Sequence, residues 1–213
     1  MNHPWIDLTI PIRPAMPIWP GNPAMTLERR QCLQHGDVCN VSHLSLGTHT
    51  GTHIDGLNHF VKGAPGIDQM PMELMTGPAK VIEIANPMQI SARELRESAI
   101  IRGDRVLFKT RNSNGLHDRD DFERDFVHLS VDAAQYLAEV GVALIGVDYL
   151  SVGGFEGNVV DVHHALLESG IWCVEGLDMS QLLAGSYEFH CLPIRLVDGD
   201  GGLARAIARR IDL

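Results

Sequence analysis

The eleven residues His49-Thr50-Gly51-Thr52-His53-Ile54-Asp55-Gly56-Leu57-Asn58-His59 constrain this chain more than any other stretch. Gly47, Gly51 and Gly56 punctuate them, and Thr48, Thr50, Thr52 and Ile54 are β-branched. Glycine costs roughly 1 kcal/mol inside a helix and β-branched residues prefer strands, so a helix is disfavoured. No glutamate follows His49, as the helical H-E-x-x-H pattern of metalloproteases would require. The segment is therefore predicted to be an extended, glycine-kinked strand or strand-loop. Side chains alternate along a strand, which puts His49, His53, Asp55 and His59 on one side and Thr48, Thr52 and Ile54 on the other. Three imidazoles and a carboxylate are the donors of a zinc- or manganese-class divalent ion. Such an ion lowers the pKa of bound water from about 15.7 to about 7. One histidine in a glycine-rich loop is an ordinary polar residue; the set with its common parity points to metal. His3, His35, His43, His117, His128 and His190 have no such company and receive no role.

Several function classes fall away on composition. Seventeen Lys and Arg against 27 Asp and Glu leave a formal charge of −10, which argues against a nucleic-acid surface. No apolar run approaches the eighteen or so residues of a membrane span, and the first residues lack the basic and apolar regions of a signal peptide. A cytoplasmic protein is the expectation. Cys32, Cys39, Cys173 and Cys191 are scattered and form no C-x-x-C, and their even number alone does not require a disulfide framework.

The remaining segments organise 213 residues into one domain. Residues 5–10 alternate as a first strand, and the prolines at 11, 14, 17, 20 and 23 then build a non-helical arm over about 11–23. Within the arm, Trp19 sits at the shoulder of a Pro20-Gly21 turn, suited either to packing or to the wall of a pocket. Strands are predicted at 80–85, 105–110, 142–148, 171–174 and 187–197. Ser91-Ala92-Arg93-Glu94 is a capping box opening a short helix. Ser130 starts a second helix that Gly141 stops, and a third runs from Val160 to Ser169 with Gly170 at its end. The loop from Arg111 to Phe122 is polar, and a short helix over 203–210 closes the chain. The expected class is α/β with a mixed sheet.

One strand does not enclose a metal, so further ligands must come from elsewhere. Val162-His163-His164 lies on the third helix, and the strand after it runs into Glu175. A His and a Glu separated by one helix and one turn meet if helix and strand pack together. Local sequence alone equally allows a helix-surface histidine and a solvated glutamate.

Taken together these residues resemble the cyclase or kynurenine-formamidase family of metal-dependent hydrolases, whose hallmark is H-x-G-T-H-x-D-x-P-x-H. Trp19-Pro20-Gly21-Asn22-Pro23 is similar to the family's Trp-Pro-Gly-Asp element, Asn40-Val41-Ser42 leads into the hallmark as in relatives, and the His163–Glu175 interval resembles the pair completing their binuclear site. The similarity spans about residues 5–197. It implies that His49 and His53 bind one metal and His163, rather than His164, a second. Asp55 and Glu175 would bridge the two ions, His59 would carry protons, and Trp19 would line the substrate pocket. It also implies a swivelling β/β/α fold, two Zn2+ or Mn2+ ions per subunit, and a homodimer or homotetramer. Leu57 stands where the hallmark has Pro, Asn22 where the turn has Asp, and residues 153–160 are unusually rich in glycine.

The expected activity is hydrolysis of a carbon–nitrogen bond in a small amide of the N-formyl-L-kynurenine type, with opening of a cyclic amide such as isatin as the alternative. A non-catalytic metal protein is the reading from a different class. It fits less well, because structural zinc sites use closed Cys/His sets and this set is rich in carboxylates.

Overall fold

Residues 3–115 and 118–212 are described in a computed structural model; Leu116 and His117, within the loop after Arg111, lie outside them. In chain order the strands are β1 (Ile6–Asp7), β2 (Thr26–Gln31), β3 (Val41–Ser45), β4 (His53–Asp55), β5 (Thr76–Glu83), β6 (Gln89–Ile90), β7 (Arg105–Lys109), β8 (His128–Leu129), β9 (Leu144–Val147), β10 (Trp172–Glu175), β11 (Gly185–Pro193) and β12 (Gly201–Arg210). The helices are α1 (Met72–Met75), α2 (Ala92–Arg96), α3 (Val131–Val140) and α4 (Val159–Leu167).

Seven strands close on themselves in the order β12-β11-β5-β7-β9-β10-β4, with β4 returning to β12. β5, β7, β9 and β10 are parallel and the other pairings antiparallel, so the sheet is mixed. β1 lies on the same edge of β12 as β4, at Ile6↔Ala208. Alternation along the strands sorts the apolar side chains into two cores. Ile54, Val81, Leu107, Leu144, Trp172, Val174 and Phe189 fill the inside of the barrel. Val106, Phe108, Ile145, Val147 and Cys173 point outward, beneath Leu95 of α2, Ala133 and Leu137 of α3, and Val162 and Leu166 of α4. Residues of odd number on β4 and β10 therefore face the helix layer.

Local chemistry starts and stops the helices as the sequence indicates. The Ser91 hydroxyl accepts from the Glu94 N–H while the Glu94 carboxylate accepts from Ser91, completing the capping box. Ser130 caps α3, and Gly141 ends it at φ 76°, a left-handed conformation that suits glycine.

The predicted C-terminal helix is a strand. Leu203-Ala204-Arg205-Ala206-Ile207-Ala208-Arg209-Arg210 has good helix formers, yet β12 is hydrogen-bonded on both edges, by β11 and by β4 then β1. Its burial has period two: Ala204, Ala206 and Ala208 point into the barrel. The crowded interior accepts only small side chains there, so tertiary pairing overrides helix propensity. The hairpin of β2 and β3 is an element to which the sequence analysis assigns nothing. Every residue of both strands is exposed, so no burial pattern marks it.

Candidate metal centre

β4 and β10 pair antiparallel with Glu175 opposite His53 and Val174 opposite Ile54. Directly opposed residues share a face, so His53, Asp55 and Glu175 converge on the helix side while Ile54 and Val174 enter the barrel. Two glycines permit the close approach of the flanking backbones. A Cβ on Gly176 (φ 70°) would lie 2.3 Å from the Gly51 carbonyl oxygen, and Gly51 itself has φ 64°. Above this face α4 buries His163 beside Val162, whereas the neighbouring His164 points out and pairs with Glu168 at 2.9 Å.

The structure brings His49, His53, Asp55, His59, His163 and Glu175 together, although the common-strand argument holds only for His53 and Asp55. His49 arrives on the turn before β4, and His59 on a single 3-10 turn, Leu57–His59, closed by the His59 N–H on the Gly56 carbonyl. That turn is ordered without the hallmark proline.

Each buried carboxylate faces two imidazoles. Asp55 presents Oδ1 to His53 Nε2 at 3.5 Å and Oδ2 to His163 Nε2 at 3.6 Å. Glu175 presents Oε2 to His53 Nε2 at 3.3 Å and Oε1 to His163 Nε2 at 3.5 Å. His49 adds Nδ1 at 2.9 Å from Asp55 Oδ1. The outer nitrogens are anchored: His53 Nδ1 lies 2.9 Å from the Gly51 carbonyl and His163 Nδ1 2.6 Å from that of Val159. Those contacts make Nδ1 a donor and aim Nε2 at the carboxylates, where it carries a proton in the metal-free cluster and would offer its lone pair to a cation.

Whether these donors suit a cation can be judged from the groups themselves. His49 Nε2, His53 Nε2 and Asp55 Oδ2 are buried without a hydrogen-bond partner, a costly state for polar atoms. Donors bound at about 2.1 Å to one tetrahedral ion stand about 3.4 Å apart, which the four carboxylate–imidazole distances bracket. Two groups, His49–Asp55–His59 and His53–Asp55–Glu175, bring imidazole nitrogen and carboxylate oxygen within reach of one ion, a mixture that zinc or manganese accepts. The residues fit a divalent cation.

Charge inside the cluster is balanced tightly. Burial disfavours the imidazolium of His53 and His163, yet the carboxylates of Asp55 and Glu175, 3.3 to 3.6 Å from each ring, outweigh it and raise both to about 10. Burial likewise pushes Asp55 and Glu175 up, but the imidazoles win: Asp55 ends well below the ordinary carboxylate range and Glu175 below it. A histidine raised from 6.5 in the unfolded chain stabilises the fold fully below that pH, and the benefit disappears as pH climbs through about 10. Protein held in chelator should accordingly melt at progressively lower temperature between pH 7 and 10, and zinc added back at pH 8 should release protons. A melting temperature independent of pH over that window, measured by calorimetry in chelator, would contradict this charge balance.

The cluster floors a cavity of about 290 Å3, lined by Trp19, Asn22, His49, His59, Phe60, Leu150, Ser151, Val159, His163, Glu175 and Asp200. A larger groove of about 530 Å3 beside Glu188 and Arg209 is lined by mutually paired charges and lacks such a cluster. Trp19 packs edge-on against Phe122 (5.3 Å) and Phe155 (5.2 Å) while lining the cavity, so it is both packing residue and wall. His59 is half-buried, stacked on His49 with ring centroids 4.0 Å apart. Burial dominates its surroundings and lowers its pKa.

Three supporting groups escaped the sequence reading. The Val152 N–H donates to Glu175 Oε1 at 2.7 Å. Asp148, buried at the end of β9, accepts from the backbone and hydroxyl groups of Thr110 and Ser113 and from the Asn112 amide, which secures the segment leading to Val152. Asp200 stands at the cavity rim. No local sequence signal marks any of the three, because their partners lie 23 to 152 residues away.

Residues 6–153 match the family described as "Putative cyclase". A kynurenine formamidase of Bacillus cereus is 32% identical over 207 residues, which are 97% of this chain and 98% of that one. The solved structure described as "Potential Metal-Dependent Hydrolase With Cyclase Activity" superposes with a TM-score of 0.84 at 29% identity, covering 99% of each chain. Isatin hydrolase A from Labrenzia aggregata, at 20% identity, superposes with a TM-score of 0.85 over 98% of this chain and 94% of its own, and so shares the fold.

Proposed function

Because this chain belongs to the cyclase family, we propose that it is a metal-dependent hydrolase cleaving the carbon–nitrogen bond of a small amide, foremost an arylformamide of the N-formylkynurenine type. The observation that carries the reading is the double facing of Asp55 and Glu175, each with one oxygen toward His53 and the other toward His163, beneath an aromatic-walled cavity. In this reading His49 and His53 would hold one divalent cation and His163 a second, with Asp55 and Glu175 available to both.

Zinc or manganese at such a site supplies an acidified water and a polarised carbonyl. The side chains do the rest. His59, neutral at neutral pH because burial depresses its pKa, accepts the proton released on attack and returns it to the departing amine nitrogen. The C–N bond of the formamide breaks, water supplies the new C–O bond, and formate and a free arylamine result. Trp19 and Phe60 offer aromatic surfaces to the substrate ring. Val152 keeps Glu175 turned toward both imidazoles through its N–H.

A second reading rests on one observation. None of the eleven lining residues is lysine or arginine, so the carboxylate of an amino-acid substrate meets no fixed basic side chain among them. Isatin, a neutral cyclic amide, needs none. Parallel turnover assays on N-formylkynurenine and isatin, with zinc- or manganese-loaded protein, decide between the two. The preferred reading expects kcat/KM at least about tenfold higher on the formamide, a difference of about 1.4 kcal/mol in barrier. The reverse order selects the lactam. No turnover of either substrate by protein that retains metal would leave a non-catalytic metal protein.

A further inference from the structure

Asp200 is a carboxylate that neither the hallmark motif nor the ligand set accounts for. It precedes β12 at the cavity rim, where its backbone carbonyl accepts the Gly56 N–H at 2.8 Å. The Thr48 hydroxyl donates to its Oδ1 at 2.9 Å, which fixes the direction of the carboxylate. The other oxygen, Oδ2, lies 3.6 Å from His49 Nε2. That nitrogen is one of the buried polar atoms with no hydrogen-bond partner. The His49 ring is pressed on Gly201, where a Cβ would stand 2.7 Å from the ring carbon Cε1, so backbone packing aims the Nε2 edge at the carboxylate. The opposite nitrogen, Nδ1, is turned inward toward Asp55.

We propose that Asp200 is the positioning residue of His49: its Oδ2, 3.6 Å from Nε2, stands ready to accept the Nε2–H when the ring seats on a cation, so that Nδ1, which donates to Asp55 while the cluster is metal-free, can give up its proton and turn its lone pair to the ion. The inference rests on the metal-centre reading above. A metal-binding imidazole generally donates its other N–H to a carboxylate, carbonyl or water, and loss of such a partner typically costs 10- to 100-fold in metal affinity or activity. His53 and His163 use the Gly51 and Val159 carbonyls for this purpose, and Asp200 gives His49 the equivalent. The side chain is half exposed, so its replacement leaves both cores intact.

The test is zinc affinity, measured by competition with a chromophoric chelator, for the parent protein, Asp200→Ala, Asp200→Asn and, as control, Asp55→Asn. The proposal expects Asp200→Ala to weaken zinc binding about 10- to 100-fold. Asp200→Asn, which keeps an acceptor and loses the charge, should recover part of that. Both variants should melt like the parent in chelator. Affinity within about twofold of the parent in Asp200→Ala overturns the proposal, and a raised KM alongside it would make Asp200 a substrate contact instead. A parent that binds zinc no better than Asp55→Asn fails the metal-centre reading itself, which is a different result from a tight-binding parent indifferent to Asp200.

Discussion

Asp55→Asn is expected to empty the cluster of cations and to lower turnover by more than about 10^3-fold, beyond the 10- to 100-fold that an outer partner of a metal ligand typically costs. The reason is geometric. Among the described residues Asp55 is the side chain that reaches His49, His53 and His163 at once, through two oxygens of which one lacks any hydrogen bond. Asparagine fits the same space but offers one oxygen, and its amide nitrogen turns a donor toward imidazoles that need an acceptor or a cation. The fold should survive in chelator, because the substitution removes a buried negative charge together with part of the reason for His53 and His163 to stay protonated, while Glu175 still faces both rings. Metal content by elemental analysis, turnover and circular dichroism together report the outcome. Full metal content with undiminished turnover would show that the convergence of these side chains has another purpose.

How far the sequence reaches depends on how local the cause is. The caps at Ser91 and Ser130, the stop at Gly141 and the parity of His53 and Asp55 each depend on neighbours within a few residues, and each appears as read. His49 and His59 join the cluster as expected but by turns rather than by strand alternation, because the paired strand is three residues long. Strand parity grouped them correctly for a reason the structure does not share, and the motif marked them independently. β12 shows the opposite failure: its alanines look helical, and only the strands on both its edges reveal that a small side chain is wanted inside a barrel. The β2–β3 hairpin left no trace because exposure on both faces removes the alternation that identifies a strand. Asp148 and Asp200 are the sharpest omissions. Each is an unremarkable aspartate in sequence and becomes meaningful only through donors from distant segments, Thr110 and Ser113 for one, Thr48 and Gly56 for the other.

If His59 moves the proton without holding the cation, as proposed, His59→Ala should divide the two roles. The imidazole stacks on His49, meets Phe60 edge-on at 4.6 Å and lines the cavity, so it is placed to meet a substrate. Burial lowers its pKa, the charges of His49 and His163 act in the same direction, and those of Asp55 and Glu175 oppose them. A bound cation would lower it further, since a nearby positive charge disfavours the imidazolium. The neutral, proton-accepting form is therefore present at pH 7, and the acid limb of kcat/KM assigned to His59 should fall below 6.5. Removal of a general acid–base group typically costs about 10^2- to 10^4-fold, and that loss is expected in kcat with metal content unchanged. The competing arrangement is also geometrically available, because His59 can offer a nitrogen to the same ion as His49 and Asp55. In that case His59→Ala would lose metal along with activity, and added zinc would restore part of the turnover. Retained metal, lost turnover and a vanished acid limb would together place the proton on His59.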